Sequence, residues 1–277
     1  MVTALGHQAL GERLKTYFID NGIMRKNEPE QIAEQFGKLG IPIEIIDAKA
    51  RFFAALKGLT DPEEKREAIT QTFYKQVFGE LVKKSGARFL LQGTIFTDVE
   101  ETVAGVKRQH NILAQLGIDT VSQFGYEVIE PLIELRKPGV RKIGEALGLP
   151  SGMYNRPPFP GPALAARIIG EVTPERVALV REATAIVEQE LAANGAFQYL
   201  AILHEDKVTG IRVGRRDYGS QIEVRCWKST DAKTATPSRL DFDILQKLVA
   251  RMTAEIPGVV SVTYNITSKP ASTIEAV

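Results

Sequence analysis

Apolar and polar positions change period several times along the chain, and each change marks an element. Leu5, Leu10 and Leu14 share one helical face with Glu12 and Arg13 opposite, which predicts a helix over residues 1–14. Lys15–Asp20 is a short aromatic and β-branched run closed by Asn21-Gly22, the pattern of a buried strand followed by a turn. A helix is predicted over Glu28–Leu39, with Pro29 near its start and Gly40 just past its end, and Ile41–Asp47 reads as a second strand. Asp61-Pro62 opens a helix from Glu63 to the region of Lys84; Arg88–Gln92 and Tyr126–Leu132 are strands, and Gly139–Leu149 is a helix. Short apolar strands alternating with helices predict an α/β parallel sheet with helices on both faces. Ligands of such sheets gather beyond the carboxyl ends of the strands, here Asp20–Arg25, Asp47, Gln92–Thr94 and Glu130-Pro131. The chain opens on a helix rather than a strand, and it has neither Gly-x-Gly-x-x-Gly nor a Walker-type Gly-Lys-Ser/Thr.

The pattern breaks at Pro157–Pro162, where four prolines and a glycine exclude helix and central strand. This rigid, extended loop runs into the apolar segment Ala163–Ile169, which carries Arg167. Beyond it, Thr173-Pro174 caps an amphipathic helix reaching Asn194. Strands follow over Phe197–His204, Lys207–Arg212, Tyr218–Trp227 and Val259–Ile266, with a helix over Asp241–Ile256. Within Tyr218–Trp227, Ile222, Val224 and Cys226 are expected inside and Gln221, Glu223 and Arg225 outside, as in a strand with one buried face. The chain is therefore expected to form one domain over 1–154 and a smaller α+β domain over 155–277. The free face of a small sheet is often covered by a second copy in a dimer.

Composition adds exclusions. In 277 residues, 44% hydrophobic and 25% charged content supplies an ordinary globular core. A net charge of +1 gives no reason to expect a nucleic-acid or membrane partner. No apolar run is long enough for a membrane span, and the start has no signal-peptide pattern. The single cysteine, Cys226, excludes an internal disulfide and fits a reducing cytoplasm. His7, His110 and His204 are too scattered for a histidine metal site.

Several segments together carry a resemblance. Pro158–Thr173 resembles the loop that opens the dimerisation domain of GMP synthetase, and Thr267–Glu275 resembles that family's C-terminal tail. Phe18–Arg25, Leu56–Glu63, Gln92–Asp98 and Glu130-Pro131-Leu132 match the same family in order. The resemblance covers the whole chain. It implies an N-type ATP pyrophosphatase domain (adenine nucleotide alpha hydrolase-like) followed by a dimerisation domain. It further implies a cytoplasmic ligase of purine biosynthesis: ATP with Mg²⁺ adenylates the O2 of XMP, pyrophosphate leaves, and ammonia attacks to give GMP. A glutaminase domain is missing from the match, so a separate glutamine amidotransferase subunit or free ammonia is expected to supply nitrogen.

By this resemblance Lys137 holds the departing pyrophosphate, as a cation facing developing negative charge. Asp98 is a catalytic residue and the Mg²⁺ ligand, a carboxylate for a hard cation. Tyr17, Asp20, Phe73, Gln92, Gly93 and Thr94 bind ATP. Arg25, Lys107, His110, Pro131, Arg167, Lys269, Thr273, Ile274 and Glu275 bind XMP, with Lys269 the charge partner of its phosphate. The same residues have plain structural alternatives. Lys137 is also a solvated lysine at a helix start, Asp98 a helix cap, Arg25 an exposed loop arginine, and Tyr17 and Phe73 core aromatics.

The match has departures. The family's Ser-Gly-Gly-Val-Asp-Ser phosphate loop is expected to end immediately before Met1 and is not in the sequence: the start is truncated, the residues are left out of the sequence as given, or the loop is lost, and truncation is the favoured reading because the other ATP-side residues are present. Arg108 and Gln109 replace a serine and a histidine that face the acceptor base. Thr97 replaces a proline, Pro138-Gly139 an acidic pair, Ala271 the second tail proline and Ala276 a tryptophan. Two alternatives stand beside GMP synthesis: a related adenylating enzyme with another acceptor, and a nucleotide-binding dimer without catalysis.

Overall fold

Tyr17–Asp20 forms the first strand, β1, and Glu44–Asp47 the second, β2. The Glu44 N–H donates to the Thr16 carbonyl at 3.0 Å and the Ala48 N–H to Asp20 at 2.9 Å, so both strands ascend together as a parallel pair does. In this computed structural model the described residues are 1–103, 126–155, 159–230 and 232–276. They fall into two compact units. The first comprises Met1–Ile19, Glu30–Ile46 and Thr70–Arg156; the second comprises Asp20–Pro29, Asp47–Ile69 and Pro157–Val277. The molecule is a mixed helix-and-sheet protein with small parallel sheets, consistent with the α/β expectation. No helix among the described residues is long and apolar enough to cross a membrane.

In the first unit, helix α1 (Val2–Leu10) precedes β1, and α2 (Glu28–Gly37) reaches into this unit between β1 and β2. Strands β3 (Phe89–Leu91) and β4 (Glu127–Ile129) pair in parallel, Leu90 opposite Val128. Among the described residues β1–β2 and β3–β4 are separate two-stranded ladders rather than one sheet. Gly6 lets α1 approach β3, because a Cβ there would lie 2.5 Å from Leu91 Cδ1. The helix expected from Glu63 to Lys84 begins at Pro62 as α4 (Pro62–Gln71), most of which belongs to the second unit, passes through a π-helical stretch at Thr72–Phe78, and ends as α5 (Gly79–Ser85). The wider winding brings residues five apart into line. Phe73 and Phe78 accordingly stack at 6.2 Å, and Phe78 meets Tyr126 edge-on at 6.1 Å. Helices α6 (Phe96–Val103), α7 (Lys137–Ala146) and α8 (Ser151–Tyr154) complete the unit.

The second unit includes α3 (Lys49–Leu56), a helix the apolar pattern did not announce. Its main helix is α9 (Pro174–Leu191), where the Arg176 N–H donates to Thr173 Oγ1 and Pro174 occupies the first turn. Val177, Val180, Ala183, Ile186, Val187 and Leu191 form its buried face, packed on strand β5 (Gln198–Arg212). The two strands expected between Phe197 and Arg212 are one strand, irregular between Leu203 and Lys207. It pairs antiparallel with β6 (Arg215–Lys228), which also pairs with the short β7 (Thr236–Pro237) and, in parallel, with β8 (Val259–Tyr264). Helix α10 (Phe242–Glu255) packs on α9 and β8.

The outward face expected for β6 is corrected by the structure. Glu223 and Arg225 are each only 8% exposed. The C-terminal tail lies over them: Arg225 Nη1 donates to the Thr273 carbonyl at 2.8 Å, and Ile274 joins a core of Leu200, Ile202, Trp227 and Ala235. Burying one isoleucine of this kind stabilises the docked tail by about 2 kcal/mol.

Candidate functional site

In the first unit, candidate residues sit beyond the carboxyl ends of β3 and β4. The loops after both strands are tied together. The Gln92 N–H donates to the Ile129 carbonyl at 2.9 Å, and the Phe96 N–H to Leu135 at 2.9 Å. Thr94, fully buried, donates its hydroxyl to Glu130 Oε1. These ties bring the first turns of α6 and α7 to one end of the strand pair. Asp98 lies in the first turn of α6 and accepts from the Ile95 N–H through Oδ2 at 2.9 Å, the reach-back of a capping carboxylate. Lys137 opens α7 and is exposed, a cation at the positive end of a helix dipole, where an anion is favoured and a lysine is not stabilised. Beside it Arg136 pairs with Glu100 at 2.6 Å and lies over the Phe96 ring at 4.8 Å. Pro131 is exposed after β4, and a Cβ at Gly93 would meet Val2 Cγ2 at an ordinary 3.6 Å. Tyr17 is half-buried in β1, and Phe73 belongs to the aromatic stack of the π-helical stretch. Lys107 and His110, with Arg108 and Gln109, lie outside the described residues.

In the second unit, the turn after β1 is built by its own side chains. Asp20 Oδ1 accepts from the Gly22 N–H at 2.9 Å and Asn21 Oδ1 from the Ile23 N–H at 3.0 Å. Gly22 has φ +77°, and a Cβ there would stand 2.7 Å from the Phe53 ring, so glycine is required twice over. Asp20 Oδ2 also pairs with Lys49 at 2.9 Å. Arg181 of α9 clamps the turn from outside, donating Nε to the Met24 carbonyl at 2.9 Å and Nη2 to that of Gly22. The turn presents Arg25, whose Nε stands 2.7 Å from Glu188 Oε1 without an aligned hydrogen bond, and whose Cζ lies 3.9 Å from the Phe159 ring centroid.

Ala163–Arg167 is a buried 3-10 turn, and Arg167 is 1% exposed. Its Nε and Nη2 donate to the two carboxylate oxygens of Glu275 at 3.2 and 3.3 Å, a fork-to-fork pair. Gln198 Nε2 donates to the same carboxylate at 2.6 Å. Thr273 donates its hydroxyl to the Glu275 carbonyl at 2.5 Å, and Lys269 Nζ donates to the Ala232 carbonyl at 2.8 Å. Arg167, Thr273, Ile274 and Glu275 are thus brought together, with Lys269 tying the base of the tail and Arg25 sharing the Phe159 ring with Arg167.

Several members of this cluster were not singled out in the sequence. Arg225 holds the tail carbonyls and also donates to Glu223 Oε1; Asn265 Nδ2 donates to that oxygen at 2.9 Å, and His204 Nε2 lies 2.8 Å from Oε2. Burial pushes the Glu223 carboxyl up, but the hydrogen bonds from Arg225, Asn265 and His204 and the Arg225 charge together hold it below its ordinary value. Lys65 is 1% exposed and donates Nζ to the Ile168 carbonyl at 2.9 Å, fixing the residue after Arg167. Burial, and then the nearby Arg176 charge, bring its ammonium down to about 8. The charge pattern of an alternating strand gave a faint signal for Arg225 and Glu223; nothing local marked Lys65.

Residues 185–276 match the GMP synthase C terminal domain family. The chain is 47% identical over 273 residues to a subunit of GMP synthase (glutamine-hydrolyzing) from Archaeoglobus fulgidus, covering 99% of this chain and 88% of the relative. It is 44% identical over 274 residues to the subunit of the same name from Pyrococcus furiosus, covering 98% and 86%. With GMP synthase (glutamine-hydrolyzing) of Pyrobaculum aerophilum it shares 47% identity over 281 residues, 55% of that relative's length. With this identity sustained across nearly the whole chain, the protein belongs to the GMP synthase family.

Proposed function

We propose that the chain is the ATP-using ligase of GMP synthesis. ATP adenylates the O2 of XMP with loss of pyrophosphate; ammonia then adds at C2 and AMP leaves, giving GMP. The observation that carries this reading is 47% identity to a GMP synthase subunit along 273 residues. The relatives are named as subunits of a glutamine-hydrolyzing synthase, which supports a separate glutamine amidotransferase subunit as the ammonia source. The finer architecture is proposed with it: an ATP pyrophosphatase domain over 1–154 and a dimerisation domain over 155–277. A homodimer is supported by exposed apolar side chains at the β5–β6 hairpin, Ile211 at 80%, Val213 at 95% and Tyr218 at 70%. A cytoplasmic location is supported by the lone Cys226, which is free and buried.

Roles follow the charges. Lys137, exposed at a helix N-terminus, faces the departing pyrophosphate, so lysine and helix dipole favour the same anion. Tyr17, Asp20, Phe73, Gln92, Gly93 and Thr94 are assigned to ATP. Asp98 would hold Mg²⁺; among the described residues no three acidic or histidine side chains cluster as a protein-only metal site. A magnesium ion carried largely by substrate phosphates needs only one or two carboxylates, which Asp98 fits, and when bound it supplies charge neutralisation on the phosphates. Arg25, Arg167, Lys269, Thr273, Ile274 and Glu275 are assigned to XMP; Lys107, His110 and Pro131 join them by resemblance. The test is pyrophosphate release by the full-length protein given ATP, magnesium and free ammonium. XMP must stimulate it and GMP must appear in equal amount. Release indifferent to XMP would sink GMP synthesis in favour of another acceptor.

A further inference from the structure

Phe159 lies in the proline-rich loop, and two guanidinium groups meet its ring: Arg25 Cζ at 3.9 Å from the centroid and Arg167 Cζ at 4.9 Å. Two like charges converging on one side chain repel unless something offsets them. Carboxylates do so from outside the ring. Glu188 and Glu28 stand 2.7 and 3.8 Å from Arg25 nitrogens, and Glu275 accepts from Arg167. The negative face of the phenyl ring offsets them from within. An aromatic face differs from a carboxylate in what it occupies. It attracts the guanidinium without accepting its in-plane N–H groups, which stay available for a planar anion or carbonyl. Arg167 Nη1 fits that account: it is buried and has no acceptor among the described residues, although the other two nitrogens of the group are paired. An orphaned charged donor costs free energy unless a ligand completes it.

The ring is also held at small entropic cost. Pro160 and Pro162 fix φ just after it, the Ala163 N–H donates to the Pro160 carbonyl at 2.9 Å, and the Leu164 N–H donates to Ile23 at 2.9 Å. The last of these bonds ties the loop that carries Phe159 to the turn that carries Arg25. We propose that Phe159 is a positioning residue for nucleotide binding, whose ring sets Arg25 and Arg167 at a fixed separation and leaves Arg167 Nη1 to an anionic or carbonyl group of the substrate. The proposal rests on the reading that both arginines face XMP.

Phe159→Leu keeps an apolar side chain and removes the ring face; Phe159→Tyr keeps both. XMP binding without ATP is measured by calorimetry on the full-length protein, with KM, kcat and thermal midpoint alongside. Phe159→Leu is expected to weaken XMP binding and raise its KM by about 5- to 30-fold, more than it lowers kcat, with Phe159→Tyr close to wild type. Equal XMP affinity in the Leu and Tyr variants, while Arg167→Gln weakens it, overturns the role of Phe159 and leaves the substrate reading standing. A fall in thermal midpoint and kcat that Tyr does not rescue also overturns it. Unchanged XMP affinity in both Arg25→Gln and Arg167→Gln overturns the substrate reading and this inference with it.

Discussion

The loops beyond β3 and β4 and the tail-covered face of β6 treat their charged residues in opposite ways. Lys137 is exposed, while Arg167 and Arg225 are buried and hold carboxylates or carbonyls of the tail. A group that waits for a ligand in solvent adds little to folding, and removing it changes turnover alone. A buried arginine that organises a segment is part of the fold before it is part of a site, and removing it leaves a partner charge stranded. Stability and activity should therefore separate in the first region and move together in the second.

The strongest way to break this contrast is Arg225→Met. It removes the charged partner of the buried Glu223 and releases the Thr273 carbonyl, and about 3–5 kcal/mol of unfolding free energy should be lost. Chemical denaturation checks this; a loss within ordinary surface values would show that the tail is not held by this arginine. Lys137→Ala is expected to lower turnover about 10²–10³-fold with an unchanged denaturation midpoint. A stability loss there would erase the difference between the regions. Lys65 sharpens the second region through pH. Its folded value of about 8 lies below the ordinary 10.5. Between these two the unfolded chain holds more protons, so stability rises with pH across that window, and the penalty of the buried charge is fully present below it. The rise is about 3 kcal/mol, and it should vanish in Lys65→Met when unfolding is followed from pH 7 to 10.5. The smallest effect separates two roles of Asp98. Asp98→Asn keeps an acceptor for the Ile95 N–H and should leave stability unchanged while lowering turnover, whereas Asp98→Ala should also lose about 1 kcal/mol. Equal turnover in Asp98→Asn and wild type would reduce Asp98 to a cap.

Much of the fold was legible because it is local. Thr173-Pro174 announced α9, Asn21-Gly22 announced the turn after β1, and the apolar runs announced β1 to β4. Helix α3 was silent because its cap position is Ala48 and its eight residues are too few for a clear period. The π-helical stretch escaped because its Phe73–Phe78 stack differs from a helical pattern by one residue. In the site, the polar tail was recognisable from its residues, but its anchors were not. Arg225 meets Thr273 across 48 positions and Lys65 meets Ile168 across 103, and no window of sequence connects such pairs. The alternation in β6 separated Glu223 and Arg225 from Ile222, Val224 and Cys226, but it placed the polar pair in solvent. It could not tell that the tail would cover that pair.

The division between the two regions is tested most directly by titrating XMP, without ATP, into the full-length protein and into folded Lys137→Ala and Arg167→Gln variants. The expected result is wild-type XMP affinity in Lys137→Ala and affinity weakened about tenfold or more in Arg167→Gln, as for a lost charge-assisted pair. Weakened binding in Lys137→Ala with unchanged binding in Arg167→Gln would contradict the assignment of the two regions.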